Sequence, residues 1–292
     1  MSQGGVSQAR AFQFLLISVV MFGGVWPLTK VALHDATPLW FAVSRAGLAG
    51  LCATVILSAL GRLRLPRRAD MPAIAAVGLL QIGAFFAFSH AALAMVPAGR
   101  TAILGNVTIF WLVPLSVWLL GEAVSRRRWW AAGVGFLGVC VMTGPWAIDW
   151  SAPGMVLGHV LLLGASLSWS IAIVVMRLRP PRASMMDLLP YVFLLATALL
   201  VPLALWREPR GGVGPGAWGT AAFIGLVAAP LGTWATVEAG RHLDSVLASL
   251  GFLLVPLLGV ALATTWLGEP LGWDLLAGGA LIVLSVALAA KG

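Results

Sequence analysis

The feature that most constrains this chain is a succession of long apolar runs separated by short joins of glycine, proline and arginine. A helix that crosses a bilayer needs about 20 predominantly apolar residues. Ten such runs can be marked, near residues 12–33, 39–60, 72–93, 101–121, 129–146, 155–176, 186–205, 216–238, 246–267 and 271–290. Charged residues make up 10% of the chain and hydrophobic ones 60%, with a mean hydropathy of +0.98. A soluble surface needs about a quarter of its residues charged. The chain therefore reads as an all-α membrane protein with ten transmembrane helices and the lipid bilayer as a partner.

The net charge of +8 points to membrane orientation rather than to nucleic acid, because the basic residues cluster in the joins. Ten spans put both termini on one side. The joins and termini of that side hold Arg10, Arg62, Arg64, Arg67, Arg68, Arg126, Arg127, Arg128, Arg177, Arg179, Arg182, Arg241 and Lys291. The other side holds Arg100, Arg207 and Arg210, while Lys30 and Arg45 fall inside spans. Basic joins stay cytoplasmic, so both termini are expected there. The polar start MSQGGVSQAR precedes the first run without an A-x-A-like cleavage site, so that run is expected to be retained. Cys52 and Cys140 lie in apolar runs without CxxC spacing, which suggests neither a disulfide framework nor a metal site.

The chain also repeats itself at an offset of 147 residues. WLVPLSVWLLGE (111–122) falls on LGVALATTWLGE (258–269), and Ala75, Gly78 and Leu79 fall on Ala222, Gly225 and Leu226. Lys30 falls on Arg177. The halves, 1–147 and 148–292, then hold five spans each, and an odd number makes the second half enter the membrane from the opposite side. Two inverted five-helix repeats around a central cavity are an architecture of secondary transporters, with the site near the midplane.

This arrangement resembles the drug/metabolite transporter superfamily in its ten-helix EamA branch, over almost the whole chain. The resemblance rests on Leu-Gly-Glu endings at Glu122 and Glu269, Pro256 in the ninth span, and the join Ala92-Leu93…Pro97-Ala98. The chain departs from the pattern in having Phe22-Gly23 where many relatives have Trp-Gly, and Ile109 opposite Pro256, with Pro114 displaced. The resemblance implies a basket of spans 1–4 and 6–9, with spans 5 and 10 at the periphery. It further implies location in a bacterial inner membrane, and within the branch the chain looks most like exporters of aromatic amino acids.

The stretch FGGVWPLTK (22–30) sets Gly23, Gly24 and Pro27 inside the first run. Broken backbone at that depth is tolerated inside protein or beside a watery cavity, so this segment is expected to face the basket. Phe22 and Trp169, equivalent in the repeat, are expected as facing walls, with Gly23 leaving room for a ligand. Trp26, Phe85, Trp111 and Trp234 lie within spans, and Gln81, Asn106, Thr108, Ser166, Ser168 and Ser170 add hydrogen-bonding groups. That is the mix of a mostly apolar pocket with a few placed polar groups. Lys30 has two readings, a partner for a substrate carboxylate or a snorkelling cation. Arg45 either pairs with Asp35 or a carbonyl, or serves a substrate. His90 and His159, ionisable and inside spans, are functional candidates that one hydrogen bond would also satisfy. Glu122 and Glu269 are expected to pair with arginine or with free backbone N–H groups, and Glu238 with Arg241.

No Walker A sequence is present, and neither are GxSG, GxGD or HExxH motifs, so no ATP drive, catalytic residue, cofactor or metal is expected. No acidic residue sits deep in a span, which disfavours cation efflux built on one proton-exchanging carboxylate. The small-molecule substrate expected is neutral or zwitterionic, an aromatic or other hydrophobic amino acid. The alternatives are a multidrug or other metabolite exporter, then a passive channel or an intramembrane enzyme.

Overall fold

A computed structural model of the chain describes residues 8–243 and 251–290, apart from 122, 145, 148, 150 and 253. Glu122 and Lys291 thus lie outside the described residues. Among the described residues the helices group into ten rods. Rod α1 runs Gln8–Gly23 and Val25–Ala32; α2 is Pro38–Ala59; α3 joins Met71–Ala75, Ala76–Ala84 and Phe85–Leu93. Rod α4 comprises Ala98–Leu104 and Ile109–Leu120; α5 is Arg126–Thr143, α6 Met155–Leu178 and α7 Met185–Arg207. Rod α8 joins Pro215–Ala222, Phe223–Ala228 and Ala229–His242; α9 is Leu254–Leu267 and α10 Trp273–Ala290. Among the described residues there is no strand, only an isolated bridge between Ala36 and Val213. Six rods (α1, α2, α3, α6, α7 and α8) are long and apolar enough to cross a membrane; α4, α9 and α10 contribute shorter apolar helices. Rod α5 opens with Arg126, Arg127 and Arg128.

Two helix breaks differ from expectation. Rod α1 scarcely breaks: Gly24 N–H still reaches Val20 O, and Leu28 N–H reaches Gly24 O, both at 3.2 Å. Pro27 stands in the first turn after Gly24, where a missing N–H costs little. Rod α4, expected to be continuous, is interrupted at 105–108 instead. There Asn106 turns its side chain onto Ala102 O at 2.7 Å, a local bond that competes with the helix ladder.

The 147-residue offset reappears as geometry. Wide, π-type turns begin at Ala76 in α3 and at Phe223 in α8, positions related by the offset. Each carries a glycine pressed on a neighbouring rod. A β-carbon on Gly78 would lie 2.9 Å from Val192 O and 3.1 Å from Leu195 Cβ of α7. One on Gly225 would lie 2.9 Å from Arg45 O and 2.6 Å from Leu48 Cβ of α2. Arg45 and Leu48 are the offset counterparts of Val192 and Leu195. The α5–α10 crossing obeys the same rule. Gly138 and Gly278 bring the backbones together, and at the equivalent place Ser285 Oγ donates to Ala131 O at 2.7 Å. Small residues of this kind are what close helix packing in lipid requires.

Carboxylates tie the joins by accepting from N–H groups at helix starts that have no partner within the helix, the favourable end of the helix dipole. Glu208 serves Leu39 and Trp40 of α2. Glu269 serves Ala98 at 2.6 Å and Gly99 at 2.9 Å in α4, and Asp35 serves Gly216 of α8 at 2.7 Å. Two ion pairs, Arg62–Asp187 and Arg100–Asp274, fasten joins at opposite ends.

Candidate functional site

Rods α1, α3 and α6 converge on an aromatic cluster. The Phe85 ring meets Trp169 edge-on, with centroids 4.9 Å apart, and meets Trp26 edge-on at 6.2 Å. Trp26 and Phe85 are buried, Trp169 half-buried, and Ala102 and Ala165 complete the cluster. Beside it, Trp111 Nε1–H of α4 donates to Ser166 Oγ of α6 at 3.0 Å. Ser166 and Ser170 in turn donate to carbonyls of their own helix. Gln81, half-buried in the π-type stretch of α3, precedes Phe85 by four residues.

One step along α3 from Phe85, Phe86 carries a cation on its face. The Arg45 guanidinium carbon lies 4.3 Å from the Phe86 centroid. His90 Nδ1 lies 2.8 Å from Phe86 O, and its Nε2 lies 3.2 Å from Arg45 Nη1. Arginine only donates, so Nε2 is the acceptor, and the neutral ring carries its proton on Nδ1 toward Phe86 O. Arg45 is therefore not paired with Asp35, which the join before α8 occupies. Phe86 was missed in the sequence; its spacing of four from His90 was the available signal.

Other expected site residues lie elsewhere. Gly23 does not leave room for a ligand: a β-carbon there would meet Leu258 and Val255 O of α9 at 3.0 Å. Lys30 is engaged at a helix end, its Nζ donating to Leu93 O at 2.5 Å and Val96 O at 3.1 Å, where α3 stops. Phe22 packs on Gly232 of α8, the offset counterpart of the Trp169–Phe85 contact, rather than facing Trp169. His159 Nδ1 bonds Met155 O of its own helix at 2.8 Å. Trp234 is 40% exposed, meets Phe14 edge-on, and lines a groove of about 510 Å³ between α2, α8 and the start of α7. That groove also touches Arg62, so it lies at the arginine-rich end of the bundle. At the opposite end the equivalent seam, where α3 meets α2 and α7, is filled by packed apolar residues including Leu39, Ala87, Leu200 and Ala204.

An all-helical bundle with long apolar rods, an internal repeat and a polar-aromatic centre defines a multi-pass membrane transporter. The chain belongs to the EamA-like transporter family, whose model matches residues 10–144 and 156–290. It is 29% identical to the uncharacterized transporter YvbV of Bacillus subtilis, over 96% of this chain and 92% of that one. It is 24% identical to a probable terminal-alkyne amino-acid exporter of Streptantibioticus cattleyicolor, covering 96% and 93%. A riboflavin transporter of Vibrio cholerae is 30% identical over 64% of this chain and 60% of its own. A solved crystal structure shares the fold, with a TM-score of 0.66 and 20% identity over 97% of this chain and 96% of that one.

Proposed function

We propose that this protein exports hydrophobic, above all aromatic, amino acids across a bacterial inner membrane, with both termini cytoplasmic. The halves 1–147 and 148–292 are the two moving units of an alternating-access cycle. The observation that carries the reading is the Trp26–Phe85–Trp169 cluster set beside Arg45. Edge-on ring pairs contribute about 0.5–1.5 kcal/mol each beyond burial, so such walls favour an aromatic side chain. The groove at the arginine-rich end and the packed seam opposite suit a state accessible from the cytoplasm. The similarity to a probable amino-acid exporter agrees with the substrate class.

The test is counterflow in liposomes containing the purified protein. Internal unlabelled phenylalanine or tryptophan should drive uptake of the labelled amino acid. A flux that does not saturate would indicate a channel. Counterflow of riboflavin or another metabolite, but of no amino acid, would replace the substrate assignment.

A further inference from the structure

We propose that Arg45, oriented by His90 and Phe86, is the seat of a carboxylate on the transported molecule; this rests on the reading that the chain carries amino acids. A cation within a membrane span is costly and is ordinarily paired. Yet among the described residues Arg45 makes no ion pair. Three carboxylates of the joins are committed to helix starts: Asp35 to Gly216, Glu208 to Leu39 and Trp40, and Glu269 to Ala98 and Gly99.

The fork is held in place yet only partly used. Nη1 donates to His90, and the guanidinium plane is supported by Phe86. Arg45 is half-buried, and among the described residues its one side-chain hydrogen bond is the one to His90, which leaves further N–H groups of the fork for a ligand. A guanidinium presenting N–H groups from a fixed plane matches the two oxygens of a carboxylate.

The repeat supplies an internal comparison. The offset counterparts of Arg45 and His90 are Val192 and Val237. The same scaffold is thus built in the other half without any charge, so the pair is not needed to form the rods. Its placement is apt for an amino acid. Phe86 joins the charge to the ring cluster, since its centroid is 6.4 Å from that of Phe85. A ring among Trp26, Phe85 and Trp169 would bring its carboxylate toward Arg45.

The test compares aromatic ligands that carry a carboxylate with aromatic ligands that lack one. Phenylacetate should compete with phenylalanine counterflow by the wild-type protein and raise its melting temperature in detergent. Phenethylamine and phenylalanine amide should do neither. Arg45→Gln should weaken phenylalanine binding about 10- to 100-fold, the loss of a charge-assisted contact, with Arg45→Lys intermediate. Equal competition by phenylacetate and phenethylamine, or unchanged phenylalanine affinity in Arg45→Gln, would overturn the assignment. The melting assay on the wild type decides if the variant does not fold. Stabilisation by phenylacetate without amino-acid transport would uphold the carboxylate seat and reject the exporter reading. Amino-acid counterflow that ignores the carboxylate would do the reverse.

Discussion

Replacing Gly225 by alanine tests the close packing of α8 on α2. The new β-carbon would lie 2.6 Å from Leu48 Cβ and 2.9 Å from Arg45 O. Carbon atoms pack favourably at about 3.5–4.0 Å, so the rods must part by about 1 Å. Leu48 Cβ and a backbone carbonyl cannot rotate away as a side-chain tip can. Overpacking costs about 1–3 kcal/mol, and the helix propensity gained from glycine to alanine returns about 1 kcal/mol. The expected net is a loss of up to about 2 kcal/mol. Gly78→Ala should lose less, because its contacts with Leu195 lie at 3.1 and 3.2 Å. Gly133 and Gly219 supply controls, for a β-carbon on either meets nothing within 4 Å. Alanine there should be neutral or stabilising. Thermal unfolding of the purified variants in detergent gives the order: Gly219→Ala above wild type, then Gly78→Ala, then Gly225→Ala. If Gly225→Ala melts as high as Gly219→Ala, the close-packing argument is wrong.

Lys30→Met should lower stability by about 1–3 kcal/mol through two carbonyls left without their donor, while leaving counterflow per folded molecule nearly unchanged; a selective loss of transport would return Lys30 to the substrate. Glu269→Gln should cost about 1 kcal/mol of stability by removing the charge at the start of α4, read from the same melting curves. Trp169→Ala should impair counterflow far more than Trp266→Ala, whose side chain is 54% exposed near a rod end, and equal losses would move the site. An impermeant thiol reagent applied outside cells should label a cysteine placed at Gly212 but not one at Arg127, and the opposite pattern would reverse the orientation.

The sequence carried the repeat well because register survives in residue types. Gly78 and Gly225 are visible as glycines, and the offset that pairs them also pairs the residues they press upon. Their π-type turns were not legible, since widening a turn changes hydrogen-bond partners and not the apolar pattern. Pro27 suggested a break that the helix absorbs, because the sequence does not say on which turn a proline falls. The interruption of α4 rests on Asn106, whose side chain looks the same on paper whether it faces a cavity or its own backbone. Lys30 was readable as a cation inside a span. Its partners at Leu93 and Val96 were not, because only folding brings together groups so far apart in the chain. The aromatic cluster was legible as residue types, and its exclusion of Trp234 was not.

The α5–α10 crossing has a mechanical consequence. A β-carbon on Gly138 would lie 2.8 Å from Gly278 O, and one on Gly278 would lie 2.7 Å from Gly138 O. Two rods pressed together so closely, and stitched again where Ser285 reaches Ala131, can pivot about the contact but cannot slide along it. Sliding would drive larger side chains, such as Ile282 and Met142, into the gap that only the glycines fit. On the proposal that 1–147 and 148–292 move as units, this crossing would pin one half to the other like the blades of a pair of scissors, with displacements smallest at the joint and growing with distance from it.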